Sequence, residues 1–129
     1  THAVWGCDGI EINANGYVFG DGKEATEAIL AQCTQRPIAA SICDDLTYGG
    51  KSDWFLPSVQ ELTVLYNGKD FVGGFPSMAH SYYWSSAGGG YYSYGFLMGT
   101  FARAVRMDAW NLVNHNRDAY NRVRCIRRF

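Results

Sequence analysis

The sequence has little net charge, no long apolar run and no signal peptide. Its formal net charge is −1, whereas surfaces that bind nucleic acid or anionic lipid carry a clear basic excess. Five arginines gather near the end, and we expect them to be solvated or paired with carboxylates: Arg117, Arg122, Arg124, Arg127 and Arg128. No stretch reaches the roughly 18 consecutive apolar residues of a membrane-spanning helix. We therefore expect this chain neither to bind nucleic acid nor to insert into a membrane.

The length and composition are those of one compact domain. With 129 residues, 47% of them hydrophobic and 16% aromatic, the chain is long enough to bury about two-thirds of its unfolded surface. We expect a single domain over residues 1–129. The sequence begins at Thr1 without a methionine, which indicates a mature product or a domain of a longer protein.

Four cysteines, an even number, allow three disulfide pairings. A zinc site is the rival interpretation, but no two cysteines have C-x-x-C spacing, and His2, His80 and His115 are scattered. We expect two disulfides, which form in oxidising surroundings such as the cell exterior. The sequence predicts no metal and no cofactor.

Residues 52–62, Ser-Asp-Trp-Phe-Leu-Pro-Ser-Val-Gln-Glu-Leu, join an aromatic segment to the start of a helix. Ser58 and Glu61 form a capping box, in which each side chain accepts a hydrogen bond from a free N–H of the first turn. Apolar residues then recur at helical spacing at Val59, Leu62, Leu65 and Tyr66. The sequence Asn67-Gly68 ends this helix.

Two further helices are predicted before this stretch. Asp21 is placed to cap the first helix, with Glu24 at its third position, and the helix closes from Gln32 onward. Pro37 fits the first position of the second helix, which carries Cys43.

Short strands are predicted over much of the remaining chain, from alternating side chains and turn residues. They lie at residues 4–7, 9–19, 82–85, 96–98, 101–107 and 120–129. The three glycines at residues 88–90 are expected to end the strand before them, and residues 71–79 are expected to form a loop.

Three segments carry a family resemblance by their order and spacing. They are residues 49–58, Gly-Gly-Lys-Ser-Asp-Trp-Phe-Leu-Pro-Ser; residues 83–86, Tyr-Trp-Ser-Ser; and residues 122–127, Arg-Val-Arg-Cys-Ile-Arg. They resemble the signature of the bacterial domain family named after the C-terminal domain of the Legionella collagen-like adhesin. The resemblance covers almost the whole chain and implies an α+β, C-type-lectin-like fold, with helices on a small, mostly antiparallel sheet and long irregular loops. That fold is close to those of retroelement-diversified variable proteins and formylglycine-generating enzymes.

The resemblance also implies a disulfide pairing. Lectin-like folds tie the first helix to the terminal strand, which implies that Cys43 pairs with Cys125 and leaves Cys7 to pair with Cys33.

The three tryptophans that follow Trp5 are expected to differ in burial. Trp54 and Trp84 lie in segments that resemble the family core, so we expect both to be buried. Trp110 lies in a polar stretch and is expected to be partly exposed.

Catalysis and lectin-type calcium binding are both disfavoured. The chain has no Gly-Asn-Val-Trp-Glu-Trp-like segment of the formylglycine-generating enzymes, and the adjacent carboxylates Asp44 and Asp45 point apart on a helix. The Glu-Pro-Asn and Gln-Pro-Asp triplets of calcium-dependent lectins are also absent. A different calcium site is left open by the side-chain oxygens of Asp108, Asn111, Asn114, Asn116 and Asp118.

Residues 88–94 and 109–120 are rich in Tyr, Asn, Ser, Gly and Trp, which is the composition of antibody paratopes. The alternative is polar loops whose aromatic residues pack into the core. In the family that the chain resembles, this region forms the exposed ligand-binding face, although residues 88–100 look like an insertion relative to the family pattern. The candidate ligand contacts, expected to converge on one surface without a metal, are Tyr91, Tyr92, Tyr94, Trp110, Asn114, His115, Asn116 and Tyr120.

Two classes of function follow from this composition and resemblance. The first is a non-catalytic adhesin or receptor-binding module, on a cell surface, pilus or phage tail tip, that binds a glycan or a surface protein of a host or neighbouring cell. The second is a structural or assembly domain that buries the same face against a neighbouring subunit, with any oligomer formed through the parent protein.

Overall fold

The computed structural model of the chain describes residues 2–68 and 82–128. Within these residues it has three helices and one five-stranded sheet, so the predicted α+β class is confirmed. The loop expected at residues 71–79 lies outside the described residues. Every helix in the described part of the chain is too short or too polar to cross a bilayer.

The helices are α1 (Gly22–Gln32), α2 (Ala39–Asp44) and α3 (Val59–Asn67). The predicted capping box of α3 is confirmed. The Ser58 hydroxyl accepts a hydrogen bond from the Glu61 N–H at 3.2 Å, and the Glu61 carboxylate accepts one from the Ser58 N–H at 2.7 Å. Gly68 ends α3, as predicted.

The start of α1 differs from its prediction in one respect. Asp21 lies at the N-cap, but its side chain makes no capping hydrogen bond. Glu24, the predicted partner, instead accepts a hydrogen bond from Arg128 at 2.9 Å. Arg128 therefore binds the Glu24 side chain at the start of α1, and the Asp21 side chain does not cap the helix.

The start of α2 also differs, because the helix begins at Ala39 and Pro37 lies outside it. The Ser41 hydroxyl accepts a hydrogen bond from the Ile38 N–H at 2.8 Å and contacts the Ile38 carbonyl at 2.9 Å. The Ser41 hydroxyl, inside the first turn, thus satisfies the Ile38 N–H, and Pro37 does not occupy the first helical position predicted for it.

The strands are β1 (His2–Ala3), β2 (Tyr82–Ser93), β3 (Phe96–Arg106), β4 (Asn111–His115) and β5 (Asn121–Arg122). Their order is β1-β5-β2-β3-β4, and the pairings are antiparallel except the parallel contact of β5 with β2 at Tyr83 and Arg122. β2 has 12 residues and β3 has 11, against 5 in β4. The central β2–β3 hairpin therefore extends past its neighbours.

The glycines at residues 88–90 do not end β2, so that prediction was wrong. They continue the pairing with β3, after a register irregularity that follows Trp84. A Cβ atom at Gly88 would lie 2.6 Å from the Trp5 ring, and one at Gly89 would lie 2.5 Å from the Phe101 ring. The glycines leave room for aromatic side chains to lie against the strand.

The strands predicted at residues 4–7, 9–19 and 120–129 were also wrong, and the two predicted at residues 96–98 and 101–107 form one strand, β3. Residues 4–19 lie outside the strands and make one bridge, Asn15 to Ala87. The last strand is limited to β5, followed by a bridge from Ile126 to Phe55. The stretch at residues 109–120, predicted as a polar loop, contains β4.

The N-terminal segment hydrogen-bonds outside the sheet. The N–H groups of residues 5 and 6 both donate to the Arg117 carbonyl.

The core covers both faces of the sheet at the centre of the fold. Trp84, predicted to be buried, is fully buried in the main cluster with Trp5, and its indole N–H donates to the Ala3 carbonyl at 2.8 Å. The adjacent Tyr83 packs into a second cluster with Leu62 of α3. Because neighbouring residues of a strand point to opposite faces, both faces are covered here.

Trp54 is half-buried, so its predicted burial was wrong. Its indole N–H donates to the Lys51 carbonyl at 2.9 Å. Its ring packs edge to face with Tyr48, and the two ring centroids are 6.3 Å apart. The next residue, Phe55, takes the buried position instead. Trp110 is 37% exposed, as predicted.

Both predicted disulfides are present. Cys43 of α2 is bonded to Cys125, which follows β5, and Cys7 is bonded to Cys33 at the end of α1. The two bridges tie the N-terminal segment and the C-terminal segment to the helical layer.

Candidate binding site

The β2–β3 hairpin ends in a two-stranded ribbon, residues 89–101, that no other strand of the described residues pairs with. β4 pairs with β3 only from Ala102 to Arg106, and β5 pairs with β2 only at Tyr83. Tyr94 and Gly95 form the turn, and both have positive φ angles, of 51° and 80°. Two central residues with positive φ are typical of the tight hairpin turn that matches strand twist. The ribbon is thus a regular hairpin that projects beyond the sheet.

The ribbon carries exposed aromatic and apolar side chains and no charged residue. Tyr94, at the turn, is 99% exposed, and Phe96 and Met98 are 71% and 67% exposed. Tyr91 is about half exposed, with its ring centroid 5.0 Å from that of Phe101. Exposed apolar side chains that are grouped in this way mark interaction surfaces more often than scattered ones do.

Residues 7–11, which we call the support loop, lie beside one side of the ribbon. The Tyr92 hydroxyl donates to the Glu11 carboxylate at 2.7 Å, which raises the pKa of Tyr92 above its ordinary value. Thr100 donates to the Asp8 carboxylate at 2.9 Å and accepts a hydrogen bond from the Gly9 N–H at 2.9 Å. The ribbon is therefore hydrogen-bonded to the support loop at two positions, Thr100 and Tyr92.

Arg117 is buried at the base of the ribbon, which corrects the expectation that it is solvated or paired with a carboxylate. Its side chain is 1% exposed and donates to four backbone carbonyls at 2.7 to 3.1 Å. The acceptors are the carbonyls of Cys7, Ile10, Gly89 and Phe101. Burial lowers the pKa of Arg117. By contrast, Arg127 pairs with Asp53 as expected, at 2.7 Å.

The other predicted contact residues are not brought to the ribbon. Trp110 precedes β4, whose first residue pairs with Arg106, so it lies roughly 30 Å along β3 from Phe96 at about 3.3 Å per residue. Tyr120 precedes β5, which meets β2 near its start. Asn114 is exposed opposite Arg103. The expected convergence of all eight residues on one surface was therefore wrong, because β4 pairs only with the half of β3 far from the turn, Ala102 to Arg106, and ends before the ribbon.

Two of these predicted contacts have structural roles. His115 is partly buried, with its ring 4.8 Å from that of Tyr82, and its Nδ1 lies 2.9 Å from the Asn121 side-chain nitrogen. The Asn116 side chain accepts a hydrogen bond from the Asp118 N–H at 2.8 Å, which closes a local turn.

The oxygens considered for calcium are spread along β4 and the turns that flank it. The Asp108 carboxylate accepts hydrogen bonds from Nε and Nη2 of Arg106, at 2.6 and 2.8 Å, and this hydrogen bonding lowers the pKa of Asp108 to about 2. In residues 2–68 and 82–128, no three His, Cys, Asp or Glu side chains are grouped closely enough to hold a metal ion.

Two apolar hollows lie away from the ribbon. One, of about 770 Å³, is open beside Trp54, between α2 and the segment that follows β5, with Lys51 among its lining residues. The other, of about 580 Å³, lies between Trp110 and the Tyr17 to Phe19 turn. Neither hollow is lined by a ribbon tyrosine, so they are separate surfaces.

Sequence reasoning missed four residues of the site: Glu11, Phe96, Met98 and Arg117. The run without charge from residue 89 to residue 101 is visible in the sequence and was the available signal for Phe96 and Met98. Glu11 and Arg117 are distant from the ribbon in sequence, so only the fold shows their contacts. Comparisons with family models, curated proteins and solved structures found no match to this chain.

Proposed function

We propose that the chain is a non-catalytic binding module that contacts a partner through the exposed end of the ribbon. The observation that carries the proposal is the ribbon itself, which presents Tyr91, Tyr94, Phe96 and Met98 without any charged residue. Tyrosine gives a large contact area with few rotatable bonds, which lowers the entropic cost of binding. All four cysteines are in disulfides, which supports a binding role over thiol catalysis.

The partner that fits this shape best is a protein with an apolar groove. The ribbon is convex and narrow, as are the long loops of single-domain antibodies that insert into concave epitopes. A flexible methionine beside aromatic rings fills an irregular apolar pocket well. Glycans are the rival ligand, because aromatic rings also stack on sugars, and the experiment below distinguishes the two.

The α+β fold is, in this proposal, of the C-type-lectin-like type. The disulfide from α2 to the segment after β5, and the pairing of β1 with β5, support that assignment and the family resemblance. Two disulfides also support an extracellular or cell-surface location, or a phage tail tip, as part of a longer protein.

The test is a binding screen with two matched triple variants. Wild-type domain is screened against a glycan array and a library of displayed protein domains. In the ribbon variant, Tyr91, Tyr94 and Phe96 become serine. In the control variant, three other exposed aromatics become serine: Phe19, Tyr48 and Tyr120. We expect protein hits that the ribbon variant loses and the control variant keeps.

Three other outcomes would count against parts of the proposal. Glycan hits that depend on the ribbon would keep the site but replace the class of partner. Self-association that only the ribbon variant loses, measured by sedimentation, would favour an assembly domain. Equal binding by all three proteins would remove the ribbon from the site.

A further inference from the structure

We propose that Arg117 and the support loop fix the orientation of the ribbon, so that Arg117 is a positioning residue for binding. This inference rests on the proposed function for its biological meaning, whereas the structural relationship can be tested without a partner. A two-stranded hairpin is at best marginally stable by itself in water. A projecting ribbon that binds with a fixed shape therefore needs support from outside its own two strands.

Arg117 connects the ribbon to the support loop. Its Nε and Nη2 donate to the carbonyls of Phe101 and Gly89, which are register partners on β3 and β2. Its Nη1 donates to the carbonyls of Cys7 and Ile10 in the support loop. A single planar guanidinium thus joins the first residue pair of the ribbon to two carbonyls of the support loop.

The chemistry of this contact requires arginine. Four acceptors in different directions match the fixed fork of five guanidinium N–H donors, whereas a lysine ammonium has three donors at one point. No carboxylate of the described residues lies within ion-pair distance of Arg117, so its charge is stabilised by the carbonyl dipoles, by the Trp5 ring, 4.5 Å from the guanidinium carbon, and by the more distant Asp8 carboxylate. Lysine would keep the charge but leave several of these carbonyls without a donor.

The support loop is itself anchored to the helical layer. Cys7 is bonded to Cys33 at the end of α1, and the Cys7 N–H donates to the Gln35 side chain at 2.8 Å. The contacts of Thr100 and Tyr92 then continue up the ribbon from the residue pair that Arg117 holds. The sequence of attachments runs from the core to within two residues of the turn.

This arrangement lowers the entropic cost of binding, because the backbone of the ribbon is held in one orientation before a partner arrives. It also explains why Tyr92 differs from Tyr94. The hydroxyl of Tyr92 is used to hold the ribbon, whereas Tyr94 has no contact with the support loop and is free to meet a partner.

The experiment measures backbone order by 15N relaxation in the isolated wild-type domain and in three variants. In wild type we expect order parameters near 0.85 in α3 and only slightly lower values at residues 90–97. In R117K the ribbon values should fall below about 0.6 while those of α3 are unchanged. In the double variant Y92F/T100V the ribbon values should also fall, but by a smaller amount. The control is R128Q, which breaks an exposed ion pair away from the ribbon.

Unchanged ribbon order in both R117K and Y92F/T100V would overturn the inference. If R117K does not fold, Y92F/T100V decides alone, because neither substitution changes the core. A wild-type ribbon that is already disordered would also overturn it. None of these outcomes depends on a partner, so they are distinct from a failure of the binding screen.

Discussion

The guanidinium carbon of Arg117 lies 4.5 Å from the centroid of the Trp5 ring, and both side chains are buried. A desolvated cation–π contact of this kind contributes up to about 2 kcal/mol. The Trp5 indole N–H donates to the Ser85 carbonyl of β2 at 2.9 Å. The N-terminal segment is thus held between the sheet and the buried arginine, and it supplies the surface on which the ribbon rests.

The capping box at α3 predicts a clear difference between two cap substitutions. Ser58→Ala removes a buried hydroxyl that accepts the Glu61 N–H, and we expect a loss of about 1 to 2 kcal/mol in the free energy of unfolding. Asp21→Ala is the matched control, because Asp21 makes no capping hydrogen bond, and it should change stability by less than about 0.5 kcal/mol. Urea denaturation measures both, and equal losses would contradict the assignment.

The two tryptophans that were expected to be equivalent should behave differently. Trp84→Ala removes a fully buried ring from the main core and should cost about 3 to 5 kcal/mol. Trp54 is half-buried at the edge of a hollow. Because it buries less apolar surface, Trp54→Ala should lower the free energy of unfolding by about half as much. Denaturant unfolding of the two variants measures both losses. If Trp54→Ala were the more destabilising, the assignment of Trp84 to the core and of Trp54 to a half-buried position would be contradicted.

The Arg106–Asp108 pair predicts a specific acid response. The pKa of Asp108 is lowered to about 2 from an ordinary value of 3.8, chiefly by its hydrogen bonds to Arg106. Because the folded-state pKa is depressed, the pair contributes stability above the ordinary value and loses it as pH falls through about 2. Carboxyl 13C titration by NMR should show this midpoint in wild type and a higher midpoint in Arg106→Gln, where only the backbone hydrogen bonds still lower the pKa of Asp108. A normal midpoint in the wild-type protein would mean that the pair does not form in solution.

Local chemistry explains what the sequence predicted correctly. The cap and the end of α3 depend on Ser58, Glu61 and Gly68, which lie within one short stretch, and the structure has all three in their expected roles. The disulfide pairing came from the family resemblance and agrees with the structure. The exposure of Tyr91 and Tyr94 followed from a composition that does not suit a core.

Long-range packing explains what the sequence did not predict. The glycines at residues 88–90 looked like a strand break, but they make room for Trp5, from the distant N-terminal segment, and for Phe101, on the opposite strand of the hairpin. Arg117 looked like a surface residue, because nothing near it in sequence shows the four carbonyls that surround it. Trp110 seemed able to join the tyrosines, but the register of β4 places it at the other end of β3.

The most direct measurement of the central claim is the affinity of two single tyrosine variants for the partner that the binding screen recovers. Tyr94 and Tyr120 are both well exposed, but only Tyr94 lies at the turn of the ribbon. By biolayer interferometry, we expect Tyr94→Ala to weaken binding at least about 30-fold, which is about 2 kcal/mol, and Tyr120→Ala to weaken it less than about fivefold. Full affinity in Tyr94→Ala, together with a large loss in Tyr120→Ala, would contradict the account.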